Sequence, residues 1–153
     1  MAQQVHHSLV GEGRELFTVD STATVKVGAE HTDGAYELFE IDGERGGFVP
    51  PHRHPWPESY YMLHGRMSVQ VGAKRYELGP GESITVPTGA VHTIEVRSKA
   101  VKFLAFSLTD GTGKLFADLD ANVPAGRPMA ELAPLITEVA ERNRTTFIGR
   151  PAQ

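Results

Sequence analysis

The chain is expected to fold as an all-β antiparallel sandwich or barrel followed by a C-terminal α-helical segment. Three observations carry that expectation. Many short segments up to about residue 109 alternate polar and apolar residues or are rich in β-branched ones, and turn-forming residues separate them at near-regular spacing. One apolar periodicity of 3.6 residues is confined to the tail. Sixteen glycines and ten prolines among 153 residues supply the punctuation.

Taken in order, strands are expected at TATVKVGAE (22–30), AYELFEID (35–42), ESYYML (58–63), RMSVQVG (66–72), SITVP (83–87), HTIEVRS (92–98) and VKFLAFSL (101–108). Between them lie Asp33-Gly34, Asp42-Gly43, His64-Gly65, Gly72-Ala73, Gly79-Pro80-Gly81 and Thr88-Gly89, all turn-forming pairs or triplets. In MAELAPLITEVAERN (129–143), Leu132, Leu135, Ile136, Val139 and Ala140 recur at helical spacing, with Pro134 tolerable in a first turn. A short helical turn is expected near Lys114–Leu119. The organisation read from this is an N-terminal arm over 1–21, a barrel over 22–109 and a helical segment over 110–153.

Composition narrows the function. The net charge of −4 and the scattered basic residues leave no nucleic-acid footprint. No segment reaches the roughly 20 apolar residues of a membrane span, and the first residues carry no basic, apolar leader, so a cytoplasmic protein is expected. There is no cysteine, so thiolate chemistry and disulfides are excluded. A metal site here must use histidine and carboxylate.

The stretch GGFVPPHRHPWPESYYMLHG (46–65) offers both. His52 and His54 are two apart, so on an extended backbone they leave the same face with Cα atoms roughly 6.6 Å apart. Pro55 and Pro57 cannot serve a ladder, so the chain turns there and Glu58 opens a new strand facing back. A second stretch, GESITVPTGAVHTIEV (81–96), brings His92 to the start of another strand. By parity, Tyr60 and Met62 share the face of Glu58, and Ile94 shares that of His92; these three are the candidate substrate-pocket residues. Phe48, Trp56, Tyr60 and Tyr61 line a pocket or fill the core, with core packing expected for at least half of them. His64 is expected to be an ordinary turn residue, and His6, His7 and His31 to be solvated.

Gly46, His52, His54, Glu58 and Gly65 reproduce the first cupin motif, G(X)5HXH(X)3E(X)6G, at every spacing, and Gly81, Pro87, Gly89 and His92 reproduce the second, G(X)5PXG(X)2H. The asparagine usual further on is Val96 here. The chain thus resembles the cupin superfamily. The resemblance implies a six- to eight-stranded antiparallel barrel of jelly-roll type, with one divalent transition metal (Fe, Mn, Ni, Co, Cu or Zn) held by His52, His54, Glu58 and His92. Glu58 would then serve both as ligand and as catalytic base.

The arrangement of barrel, glycine-containing turn and C-terminal helix is similar to small single-domain cupins of the quercetin-dioxygenase-like group. That implies a dioxygenase acting on an oxygen-chelating aromatic or enediol small molecule. The alternatives are a non-oxidative polyketide cyclase, isomerase or lyase, and a non-catalytic small-molecule binder. Arg53, Arg66, Lys74, Arg75 and Arg97 fall in expected turns or on outward faces, which disfavours phosphorylated sugars and dicarboxylates. A homodimer is expected, because edge strands such as those before Gly46 invite cover. The segment after Leu108 is expected to dock on the barrel, over its mouth or outside, without supplying a ligand or any other chemistry.

Overall fold

The structure, a computed structural model, describes residues 4–46 and 48–148. Two antiparallel sheets face each other. The six-stranded sheet runs in the order β1-β2-β3-β10-β5-β8 and the five-stranded sheet β11-β4-β9-β6-β7. Their strands are β1 (Arg14–Phe17), β2 (Ser21–Val27), β3 (Tyr36–Glu44), β4 (Phe48–Arg53), β5 (Glu58–His64), β6 (Met67–Val71), β7 (Lys74–Leu78), β8 (Ser83–Val86), β9 (His92–Val96), β10 (Ala100–Leu108) and β11 (Thr146–Phe147). Helices α1 (Gly111–Asn122) and α2 (Met129–Arg142) lie between β10 and β11.

Alternation decides which side chains go inward. Along β3 and β10 every second residue is buried, giving Glu37, Phe39 and Ile41 on one strand and Val101, Phe103, Ala105 and Ser107 on the other. These meet Tyr60, Met62 and Val86 from the same sheet and Met67, Val69, Leu78 and Val96 from the facing one. Burying a side chain such as Phe39 or Met62 contributes about 1.5–3 kcal/mol, so this shared interior is the main stabilising element. Gly65 allows the sharp exit from β5: its φ is +80°, and a Cβ there would sit 2.2 Å from the Ala100 carbonyl oxygen.

Four strands lie outside the seven segments read from alternation. β1 extends the six-stranded sheet into the segment assigned to an N-terminal arm, β4 carries the first histidine, β7 forms a hairpin with β6, and β11 pairs with β4. The strand before Gly46, β3, is not an edge: β2 and β10 flank it, and the edges of its sheet are β1 and β8. The His6 ring, expected to be solvated, stacks on His31 with centroids 3.5 Å apart, and the His31 Nδ1 accepts the Gly28 N–H.

The C-terminal segment does two things. Phe116 and Ala117 of α1 pack against the barrel interior, Phe116 edge-on to Phe39 at 5.2 Å. The other face of α1 joins α2 in a second apolar cluster of Leu119, Val123, Leu132 and Val139. So α1 lies on the barrel core and α2 lies outside it. Helix α1 is a full 12 residues where a single turn was expected. In α2, Pro134 falls in the second turn, not the first, and the carbonyl it leaves unpaired, that of Ala130, belongs to an exposed residue. No helix among the described residues is long and apolar enough to cross a membrane.

Candidate metal centre

The first imidazole is placed by a slip in strand register. Pro50 and Pro51 have no N–H for the ladder, and the pairing of β4 with β9 shifts between Val49↔Ile94 and His52↔His92. His52 therefore stands directly opposite His92, with ring centroids 4.1 Å apart. β4 ends at Arg53, and the next residues hold His54. Its carbonyl accepts the Gly89 N–H at 3.0 Å, which joins the two motif segments. Its ring stacks on Trp56, 4.5 Å away and 11° from parallel.

In each imidazole Nδ1 faces a backbone carbonyl: Pro50 at 3.0 Å for His52, Trp56 at 2.8 Å for His54, and Ala90 at 2.9 Å for His92. A carbonyl only accepts, so Nδ1 of the neutral ring carries the proton and Nε2 keeps its lone pair. The Nε2 atoms of His54 and His92 are buried without a hydrogen-bond partner. Leaving two such nitrogens idle is costly unless they bind something. One nitrogen from each of the three histidines lies within 4.8 Å of the others. Neutral, outwardly anchored imidazoles converging on one point fit a divalent transition metal.

Glu58 flanks this triad. Its Oε1 is 3.5 Å from His54 Nε2, off hydrogen-bond geometry, and its Oε2 is 4.0 Å from His92 Nε2. Three hydroxyls hold the carboxylate. Tyr60 donates to Oε2, while Thr112 at 2.9 Å and Ser107 at 3.3 Å reach Oε1. Burial alone would raise the Glu58 carboxyl, but the adjacent His54 and the Tyr60 hydroxyl outweigh it and hold it well below the usual carboxylate range. Burial, helped by the neighbouring His92, lowers His52 to about 4, and burial likewise lowers His92. For His54 burial is outweighed by Glu58, which raises it.

The fold thus gathers His52, His54, His92 and Glu58, all buried, at one place. Of the three pocket candidates, Tyr60 reaches the centre through its hydroxyl. Met62 is fully buried in the barrel interior, and Ile94 is partly buried against it. Trp56 is 1% exposed and Tyr61 is 47% exposed on the outer face; the side chain of Phe48 lies outside the described residues. His64 is exposed, as are Arg53, Arg66, Lys74, Arg75 and Arg97.

The cupin domain family matches residues 39–107, the span that holds every one of these donors except Thr112. Residues 39–107 form a cupin domain. This cupin is 28% identical over 95 residues to quercetin 2,3-dioxygenase of Bacillus subtilis (strain 168), a match covering 61% of this chain and 28% of that protein. The chain therefore spans little more than a quarter of that relative. Among the solved structures that share its fold are two of similar extent. One is the polyketide cyclase RemF from Streptomyces resistomycificus, with TM-score 0.57, 23% identity, and coverage of 71% of this chain and 80% of that one. The other is an RmlC-like cupin from Shewanella frigidimarina NCIMB 400, with TM-score 0.61, 16% identity, and coverage of 71% and 95%.

Two functional neighbours of this cupin's centre were not foreseen, Ser107 and Thr112. Thr112 lies in the C-terminal segment that was expected to carry no chemistry, yet its hydroxyl touches Glu58 and accepts the Trp56 Nε1–H at 2.8 Å. A threonine between two glycines reads locally as a turn, and only the docking of α1 brings it to the carboxylate.

Proposed function

We propose that this cupin is a metal-dependent enzyme for a small molecule that binds through oxygen atoms, acting as a dioxygenase on an aromatic or enediol substrate. The observation that carries this reading is the convergence of three anchored imidazoles beside an ionised, buried Glu58. The likeness to quercetin 2,3-dioxygenase supports the choice of dioxygenase. The exposed positions of the five basic side chains named above favour a substrate that is not a phosphate or dicarboxylate.

His52, His54 and His92 would hold the metal, with Glu58 as the adjoining carboxylate. A bound divalent transition metal supplies Lewis acidity toward an oxygen donor and, for the redox-active ions, a route to dioxygen chemistry. Glu58 is placed to take the proton that a phenol or enediol loses on binding. Tyr60, donating to Oε2, fixes the face that the carboxylate presents. The apolar barrel interior beneath them excludes water.

A second reading is favoured by that same buried Tyr60 and Glu58 pair. Such a pair can move protons without an oxidant, as in cyclisation, isomerisation or elimination. The two readings part under oxygen control. Metal-loaded protein is mixed with flavonols, catechols and enediols under air and under argon, with an oxygen electrode and product analysis. Oxygen uptake with ring cleavage supports the dioxygenase; equal turnover under argon supports the non-oxidative reaction; no turnover with either leaves a binding protein and overturns the enzyme reading.

A further inference from the structure

We infer that Thr112 is a positioning residue for Glu58, so that the first turn of α1 belongs to the centre; this rests on the metal-centre reading above. The direction of the hydrogen-bond chain carries the inference. The Trp56 indole N–H can only donate, and it donates to Thr112 Oγ1 at 2.8 Å. The Thr112 hydroxyl therefore accepts from Trp56 and sends its own proton onward, to Glu58 Oε1 at 2.9 Å or to Ser107 Oγ at 2.9 Å. If it goes to Ser107, the Ser107 hydroxyl reaches the same Oε1 at 3.3 Å. By either route a proton is delivered to Oε1, and Oε1 is the oxygen beside His54.

Trp56 closes the arrangement. Its carbonyl accepts the His54 Nδ1–H and its ring stacks on that imidazole, while its indole N–H orients Thr112. One side chain thus sets both a nitrogen donor and the neighbouring carboxylate. Every residue in this chain is buried: Trp56 is 1% exposed, Thr112 1%, Ser107 0% and Glu58 8%. Water therefore does not substitute for a missing hydroxyl, and losing it leaves an indole N–H and a carboxylate oxygen underbonded. The two glycines beside Thr112 make this approach possible. A Cβ at Gly111 would lie 2.5 Å from the Trp56 ring, and one at Gly113 would lie 2.0 Å from the Glu37 carboxylate.

The test is titration of metal-free, full-length protein with Co(II), reading affinity and the visible d–d spectrum. Thr112→Val keeps the side-chain shape and removes the hydroxyl; Thr112→Ser keeps the hydroxyl. Thr112→Val is expected to weaken Co(II) binding about 10- to 100-fold and to shift the spectrum, and Thr112→Ser to restore both. A folded Thr112→Val protein with wild-type affinity and spectrum overturns the proposal, as does a Thr112→Ser protein as impaired as the valine variant. If Thr112→Val does not fold, Trp56→Phe decides: it removes the orienting N–H, and an unchanged spectrum overturns the proposal. Wild-type protein that binds no Co(II) instead defeats the metal-centre reading itself, and the positioning role falls with it.

Discussion

Glu37 and Glu58 stand two strands apart in one inward-facing row, each paired across the ladder with Ser107, and the first turn of α1 lies over both. Gly113 donates its N–H to Glu37 Oε1 at 3.0 Å, and Thr112 donates its hydroxyl to Glu58. The two carboxyls nevertheless behave in opposite ways. Glu58, beside the imidazoles, is held ionised. Glu37 is pushed up to about 7, chiefly by burial, with the charge of Asp110 adding to it and the Gly113 N–H opposing.

That difference predicts a pH dependence. Folded Glu37 binds its proton more tightly than the unfolded chain does, where a carboxyl titrates near about 4.3. Its favourable contribution is full below that value and is lost as pH rises to about 7. Glu37→Gln keeps an oxygen for the Gly113 N–H and removes the charge. Its melting temperature is expected to match wild type near pH 4 and to exceed it at pH 8. Calorimetry across that range checks this, and a wild-type protein more stable at pH 8 contradicts it.

Gly111→Ala should disturb the seat of α1. The added Cβ meets the ring of Trp56 at 2.5 Å, and that ring is held on His54 and buried all round. A cost of about 1–3 kcal/mol is expected from such overpacking. Urea unfolding followed by tryptophan fluorescence measures it, since Trp56 is the sole tryptophan. A midpoint equal to wild type would show that α1 is not seated against the ring.

His92→Ala should lose most bound metal and keep the fold. The histidines are not members of the apolar interior cluster, which both sheets build without them. Elemental analysis together with circular dichroism separates the two effects. Full metal loading of the folded variant would place the ion elsewhere.

The outward face of β3, β10 and β5 carries Tyr36, Phe106, Leu108, Tyr61 and Leu63, each at least 38% exposed. Tyr36 and Phe106 already touch, with centroids 5.3 Å apart. A second copy of the chain is the expected cover for so apolar a sheet face. Phe106→Glu should then shift the protein to monomers in light scattering. A wild-type protein that is monomeric at micromolar concentration defeats the idea.

The barrel and the triad were legible in the sequence for separate reasons. Strands with one face in the core, such as β3 and β10, announce themselves by alternation. The histidine spacing survives because it is set locally, by an extended backbone and two proline breaks. What escaped was set at a distance. β7 buries only Leu78 among its five residues, and β1 only Leu16 among its four, so neither shows a face. The start of α1, Gly-Thr-Gly, has poor helix propensity and is helical because it docks on Trp56 and Glu37. Thr112 meets Glu58 across 54 positions, and no local pattern records that distance.

Were helix α1 to lift from the barrel, it would break its bonds to Glu58, Ser107, Trp56, Glu37 and Phe17 and the packing of Phe116 on Phe39, but no ladder bond within either sheet. Partial openings of this kind require less free energy than unfolding the whole domain. Backbone amides of α1 would then exchange with deuterium sooner than those of β10, the strand beneath. In each such excursion Glu58 keeps Tyr60 and Ser107, which ride on strands, and loses Thr112. Its affinity for a proton rises for that interval. The readiness of the centre to accept a proton would then be a time average, to which the detachment of a helix adds its share beside the groups that touch Glu58 directly.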